Sequence, residues 1–256
     1  FNNLGENKTI LLTINGILTN DAGADAMLAS VKRWNVAPNA KAAISNGTHG
    51  LIGKFGFGDF NQIGINDIGI ADLTAIRAAI QIEIAAEALR RNVANPADRT
   101  IIVVAHSQGT MAFARAMRFL SPQTRSMIDF HGNGGQAFVP INGLKGAYNY
   151  YFSNDLVPAI ATNSKIVKQA LQALLAPDKK YNVYNLGRGG NKKIIPNVSA
   201  HVWSEYAPIY GTLGKEIAPY GKIEWVDFPR KSLFQKIGVA VIQEFNGLEK
   251  IDIIQW

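Results

Sequence analysis

A chain of 256 residues with 47% hydrophobic side chains can bury one large core, and α/β proteins of this length are commonly single domains. The lack of cysteine excludes disulfides and thiolate metal sites, and no apolar stretch is long enough to span a bilayer. The net charge of +7 suits an anionic partner, but the basic residues are scattered and no RNA- or DNA-binding motif accompanies them, so nucleic-acid binding is not expected.

Lys8 to Ile14 is an apolar, β-rich run, and Asn15-Gly16-Ile17 follows it where the chain must turn. Asp21 to Trp34 has helical spacing at Ala26, Met27, Val31 and Trp34, with Pro38 shortly after. Lys41 to Ser45 is a short second strand. Residues 46–69 are glycine-rich and carry Phe55, Phe57 and Phe60, and Ala71 to Asn95 is a long helix stopped at Asn95-Pro96. Ile101 to Val104 is a buried strand running straight into a helix. Ser126 to Phe130 and Gly146 to Phe152 are further strands, Asn163 to Leu175 a helix stopped near Pro177, Tyr181 to Leu186 a strand and Val202 to Tyr210 a helix. Strands alternating with helices imply a mostly parallel sheet covered on both faces. With no linker, repeat or low-complexity tract, residues 1–256 read as one domain, with a core over about 8–210 and an extension over 211–256.

The most informative stretch is Ala105-His106-Ser107-Gln108-Gly109, at the strand-to-helix junction. A serine hydroxyl attacks a carbonyl only if it projects beyond the sheet, with a base beside it and backbone N–H groups facing the developing oxyanion. The stretch resembles the G-x-S-x-G nucleophile elbow of the α/β-hydrolase superfamily, with Ala105 where the first glycine usually stands. The resemblance implies the α/β-hydrolase fold, a mostly parallel central sheet with helices on both faces, here lacking the first two strands.

In that fold the partners of Ser107 follow later strands in the order acid, then histidine. Asp155, in Ser153-Asn-Asp-Leu-Val-Pro158 directly after a strand, is the expected acid; a helix-capping role is its alternative, and Asp129 and Asp178 are weaker candidates. Of four histidines His201 alone follows the acid, so it is the expected general base. His131 is the runner-up, His49 reads as a loop residue near the substrate, and His106, adjacent to the nucleophile, is expected beside the oxyanion site as a substrate contact. No histidine stands at ligand spacing with another ligand, so neither a metal nor a cofactor is expected. The oxyanion donors are expected to be the backbone N–H groups of Gln108 and Ile17, the latter in an Asn-Gly turn similar to the His-Gly-x motif of lipases.

These residues imply a serine hydrolase acting on carboxylic esters, with an acyltransferase, a peptidase or a silent binding module as alternatives. Phe55 and Phe57 fit either an ordinary core or an aromatic cover over the serine, and a cover would imply lipid-like esters. The basic set Lys179, Lys180, Arg188, Lys192 and Lys193 would suit a transient contact with a membrane surface. Phe1 in place of an initiator methionine implies a processed product or a part of a longer chain, by resemblance a module of a large secreted bacterial protein. Three sequons, at Asn7, Asn46 and Asn197, arise easily by chance in a chain this rich in asparagine.

Overall fold

The computed structural model describes residues 1, 4–16, 21–46, 70–135, 137–141, 143–152, 154, 155, 157, 182–186, 188–190 and 198–211. The elements there are β1 (Thr9–Ile14), α1 (Asp21–Ser30), β2 (Lys41–Ile44), α2 (Ile70–Asn92), β3 (Thr100–His106), α3 (Gln108–Ala116), α4 (Pro122–Arg125), β4 (Ile128–Asn133), β5 (Gly146–Tyr151), β6 (Val183–Asn185) and α5 (Trp203–Tyr206). Six strands form one sheet in the order β2-β1-β3-β4-β5-β6, and every neighbouring pair is parallel. The helix expected over Asn163 to Leu175 and the extension beyond Gly211 lie outside the described residues.

β1 and β3 are interior strands, and their sequences, TILLTI and TIIVVAH, are apolar on both faces because both faces are covered. From β1 the chain moves outward to β2, then returns across β1 to β3; the right-handed sense usual for parallel crossovers puts α1 and α2 on opposite faces. α3 packs with α2, and the stacked rings of Phe113 and Phe130, 4.2 Å apart, fasten α3 to β4. The direction of strand addition reverses between β1 and β3. Open parallel sheets form their ligand crevice beyond the carboxyl ends of the strands at such a reversal, and the Asn15-Gly16 turn and Ser107 both emerge there.

Several expected bounds shift by a few residues, and one shift has a clear cause. The first helix stops at Ser30 rather than Trp34, because the N–H groups of Lys32 and Arg33 both donate to the carbonyl of Tyr210 at 3.0 Å instead of to the preceding helical turn. The helix expected over Val202 to Tyr210 is one α-turn, α5, followed by a 3-10 turn over Ala207–Tyr210. Among the described residues no helix is long and apolar enough to cross a membrane.

α3 approaches the end of β1 closely. A Cβ on Gly109 would lie against the carbonyl oxygen of Ile14 and 2.8 Å from that of Asn15, both backbone atoms that cannot turn aside. Gly109→Ala is therefore expected to lower the unfolding free energy by about 2 kcal/mol in urea titrations, the usual cost of overpacking a closed junction. An unchanged midpoint would show that this approach is looser than described.

Candidate active site

β3 delivers Ser107 into a conformation that side chains seldom adopt, with φ 55° and ψ −128°. Such a residue costs on the order of 1–3 kcal/mol and persists only when its surroundings enforce it. Here the Ser107 N–H donates to the carbonyl of Asn133 at 2.9 Å, and the Thr110 hydroxyl donates to the carbonyl of Ser107 at 2.8 Å. The turn aims the hydroxyl out of the sheet and starts α3 at Gln108.

The Ser107 Oγ lies 2.8 Å from Nε2 of His201, and Nδ1 of His201 lies 2.9 Å from each carboxylate oxygen of Asp155. With Nδ1 set against the buried Asp155 side chain, the ring proton sits on Nδ1 and is donated to the carboxyl oxygens. Nε2 then accepts from the serine hydroxyl, which is the tautomer a general base needs. Asp155 follows β5 by four residues and its Oδ1 also accepts the N–H of Val157 at 2.9 Å. Asn154 exchanges two 2.9 Å bonds with the backbone of Gly189, tying the acid turn to the segment after β6 that leads on to His201. Serine, acid and histidine thus come together from segments that follow three different strands, β3, β5 and β6.

His106 packs against His201. Its ring stacks on that of His201 at 4.9 Å, and its Nε2 donates to the His201 carbonyl at 2.7 Å. The side chain is buried and its Nε2 is committed, so the direct substrate contact expected of it would have to come through Nδ1, which faces Gly16. His131, the alternative base, points elsewhere: it is buried within β4, stacked on Tyr148 at 4.9 Å, with its Nδ1 3.4 Å from the Tyr150 hydroxyl and its Nε2 3.6 Å from Asp129. It makes no link to Ser107. His49, Phe55, Phe57 and Ile17 lie outside the described residues, as do Asp178 and four of the five basic residues noted above, Arg188 being the exception.

The Asn-Gly turn does reach the serine. A Cβ on Gly16 would lie 2.6 Å from Cβ and 3.1 Å from Oγ of Ser107, so only glycine lets this backbone pass over the serine. A buried amide chain fixes both sides of that space. Asn15 donates to the carbonyl of Gly16 at 2.9 Å and accepts the N–H of Asn46 at 2.9 Å; Asn46 donates to the side chain of Gln108 at 2.8 Å and accepts from Thr74 at 2.8 Å. Asn46 is thus a strut between the end of β1 and the first residue of α3, and its buried, bonded amide leaves no room for a glycan at that sequon. Sequence reading missed Asn46, Thr74 and Tyr206, whose types carry no signal until the fold brings them together. Among the described residues no group of side chains could hold a metal ion. A groove of about 660 Å³ on the outer side of α2, walled by Ile76, Ile80, Ile84 and Phe119, shares no residue with the Ser107 site.

No family model matches the chain, and no curated protein matches it. Three solved structures are similar in part: an Aspergillus fumigatus lipase B at 14% identity over 54% of this chain, TM-score 0.34; a cutinase-like protein from Cryptococcus at 15% over 57%, TM-score 0.32; and a Trichoderma reesei cutinase in complex with a phosphonate inhibitor at 13% over 54%, TM-score 0.31. The match spans 27% of the first of those chains and 60% of each of the other two. The fold is that of the α/β-hydrolases. That assignment stands on the strand order, the serine turn after β3 and the acid and histidine turns after later strands; likeness at this level of identity and score adds no weight to it.

Burial, and then the neighbouring His201 ring, push the pKa of His106 down to about 3, against the opposing bond to the His201 carbonyl. Burial likewise lowers that of His131. A free histidine takes up its proton near pH 6.5, so between there and about 3 the unfolded chain binds protons that the folded chain refuses. Stability is therefore fully present above that window and falls as pH drops through it. The urea midpoint should decline from roughly pH 7 to pH 4, and more shallowly in His106→Gln; an equal decline in both proteins would remove His106 from the account.

Proposed function

We propose that the protein is a serine hydrolase of carboxylic esters. The observation that carries this reading is the continuous line Ser107 Oγ, His201 Nε2, His201 Nδ1 and Asp155, at 2.8 Å and 2.9 Å, beneath a turn that leaves no room for a side chain over the serine. His201 takes the hydroxyl proton as Oγ attacks the ester carbonyl carbon. The oxyanion is met by the N–H of Gln108 at the start of α3 and, on the same reading, by that of Ile17 beyond Gly16. As the tetrahedral intermediate collapses, His201 returns the proton to the departing alkoxide and an acyl-enzyme remains on Ser107. Water, deprotonated by His201, then releases the acid. Asp155, hydrogen-bonded to Nδ1, stabilises the imidazolium.

A lipid-like ester is the substrate class this reading favours, on the phenylalanines of the glycine-rich segment that follows β2. An ester panel of increasing acyl length, with and without phospholipid micelles, tests it: rates that rise with chain length and with micelles are expected, and a preference for the shortest esters would contradict lipid specificity. Product analysis with alcohol or amine acceptors separates hydrolysis from acyl transfer.

Two substitutions test the machinery. Ser107→Ala is expected to lose ester turnover by at least about a thousandfold, and His201→Ala to a similar degree. Full activity in His201→Ala would refute the assigned base. Asn46→Ala removes the bonds it makes to the Gln108 side chain and the Thr74 hydroxyl, and should lower kcat by at least about tenfold with little change in KM, since the interaction it supports forms only with the oxyanion. Parallel losses in kcat and thermal stability alone, with a raised KM, would mark Asn46 as merely structural.

A further inference from the structure

Asp155 receives more donors than a catalytic histidine requires. Besides His201 and the N–H of Val157, its Oδ2 accepts the hydroxyl of Tyr206 at 2.6 Å. Tyr206 is fully buried, and the N–H of Phe152 donates to the same hydroxyl at 3.3 Å, which turns the phenolic proton toward the carboxylate. A Cβ on Gly134, which has φ +53°, would lie 2.7 Å from Asp155 Oδ2, 2.9 Å from the Tyr206 hydroxyl and 3.1 Å from His201 Nδ1. Three polar atoms converge on a point that only glycine leaves open. His201 and Tyr206 also come from one short stretch, the second on α5, so the chain approaches Asp155 twice within five residues.

We propose that Tyr206 is a positioning residue that sets how strongly Asp155 draws on the His201 proton, a role resting on the reading of Ser107, His201 and Asp155 as a catalytic triad. A phenol donating a short bond to a carboxylate in dry surroundings takes up part of its negative charge and fixes its rotamer. Less charge is left for His201, so the imidazolium gives up its proton more readily. Removing the phenolic oxygen leaves Asp155 to pull harder: His201 stays protonated to higher pH, and the acid limb of the rate profile moves upward. Burial, followed by the charge of Asp155 and the bond to it, holds the Tyr206 hydroxyl protonated far above the ordinary tyrosine range, so it is a donor at every working pH. Tyr210, four residues on, is as deeply buried but gives its hydroxyl to Asn133 at 2.8 Å and not to Asp155. It is the natural control.

The test compares wild type, Tyr206→Phe and Tyr210→Phe in two readouts: the pH profile of kcat, and the NMR resonance of the His201 Nδ1–H proton. Tyr206→Phe is expected to lower kcat about tenfold with KM nearly unchanged, move the acid limb up by roughly half a pH unit or more and shift the Nδ1–H signal downfield. Tyr210→Phe should leave limb and signal in place. An unmoved limb and signal in Tyr206→Phe, or equal movement in both variants, would overturn the proposal. Should wild type prove inactive on esters, that failure belongs to the proposed function, and the Nδ1–H signal still decides the role of Tyr206. If Tyr206→Phe melts below the assay temperature, a fluorotyrosine placed at 206 keeps the shape and donates more strongly, so the limb should move down and the signal upfield; no movement would again overturn the proposal.

Discussion

The register of β1 against β3 sets Ile14 opposite Ala105, and with it the distance between a backbone turn and Ser107. Because that pairing is parallel and in step, both strands end together, and what each emits, Asn15-Gly16 from one and Ser107 from the other, shares one small space. Two glycines make the sharing sterically possible. Gly109 lets α3 start against the carbonyls that end β1, and Gly16 lets the turn pass over Cβ of Ser107. A one-residue slip would carry Ile14, and with it the Asn15-Gly16 turn, one position along β3 relative to Ser107, so the pairing that aligns the two strands also fixes the site.

Hydrogen bonds complete what the register begins. The strained Ser107 backbone is held by Asn133 and Thr110, the amide chain through Asn46 fixes the end of β1 to Gln108, and the stretch from His201 to Tyr210 reaches both sides of the site. From that stretch the hydroxyl of Tyr206 meets Asp155 and that of Tyr210 meets Asn133, the residue whose carbonyl holds the Ser107 N–H. His201 and Asp155 are thereby held from one short segment at the end of the sheet. Burial keeps these bonds dry, which strengthens each bond made and raises the cost of each one lost.

Residues whose chemistry is local were legible in the sequence. Ser107 sits in a strand-turn-helix pattern, Asp155 directly follows a strand, and His201 is the one histidine placed after the acid, so element order sufficed to propose them together. Asn46, Thr74, Tyr206 and Tyr210 were not legible, because an asparagine or tyrosine becomes a strut only when a distant residue supplies its partner. His106 was placed beside the nucleophile by sequence adjacency, but its work on the His201 carbonyl depends on a contact across 95 positions. The early end of α1 was likewise hidden, since the competing acceptor is the carbonyl of Tyr210, far along the chain. Long-range pairing, not local propensity, decided each of these.

The central claim is that Ser107 becomes acylated. Rapid mixing with an activated ester, acid quench and mass spectrometry of the peptide spanning Ser107 measures it directly. One acyl group on Ser107, abolished by His201→Ala, is the expected result. An adduct on another residue, or release of the alcohol with no adduct at Ser107 at any time after mixing, would contradict the account.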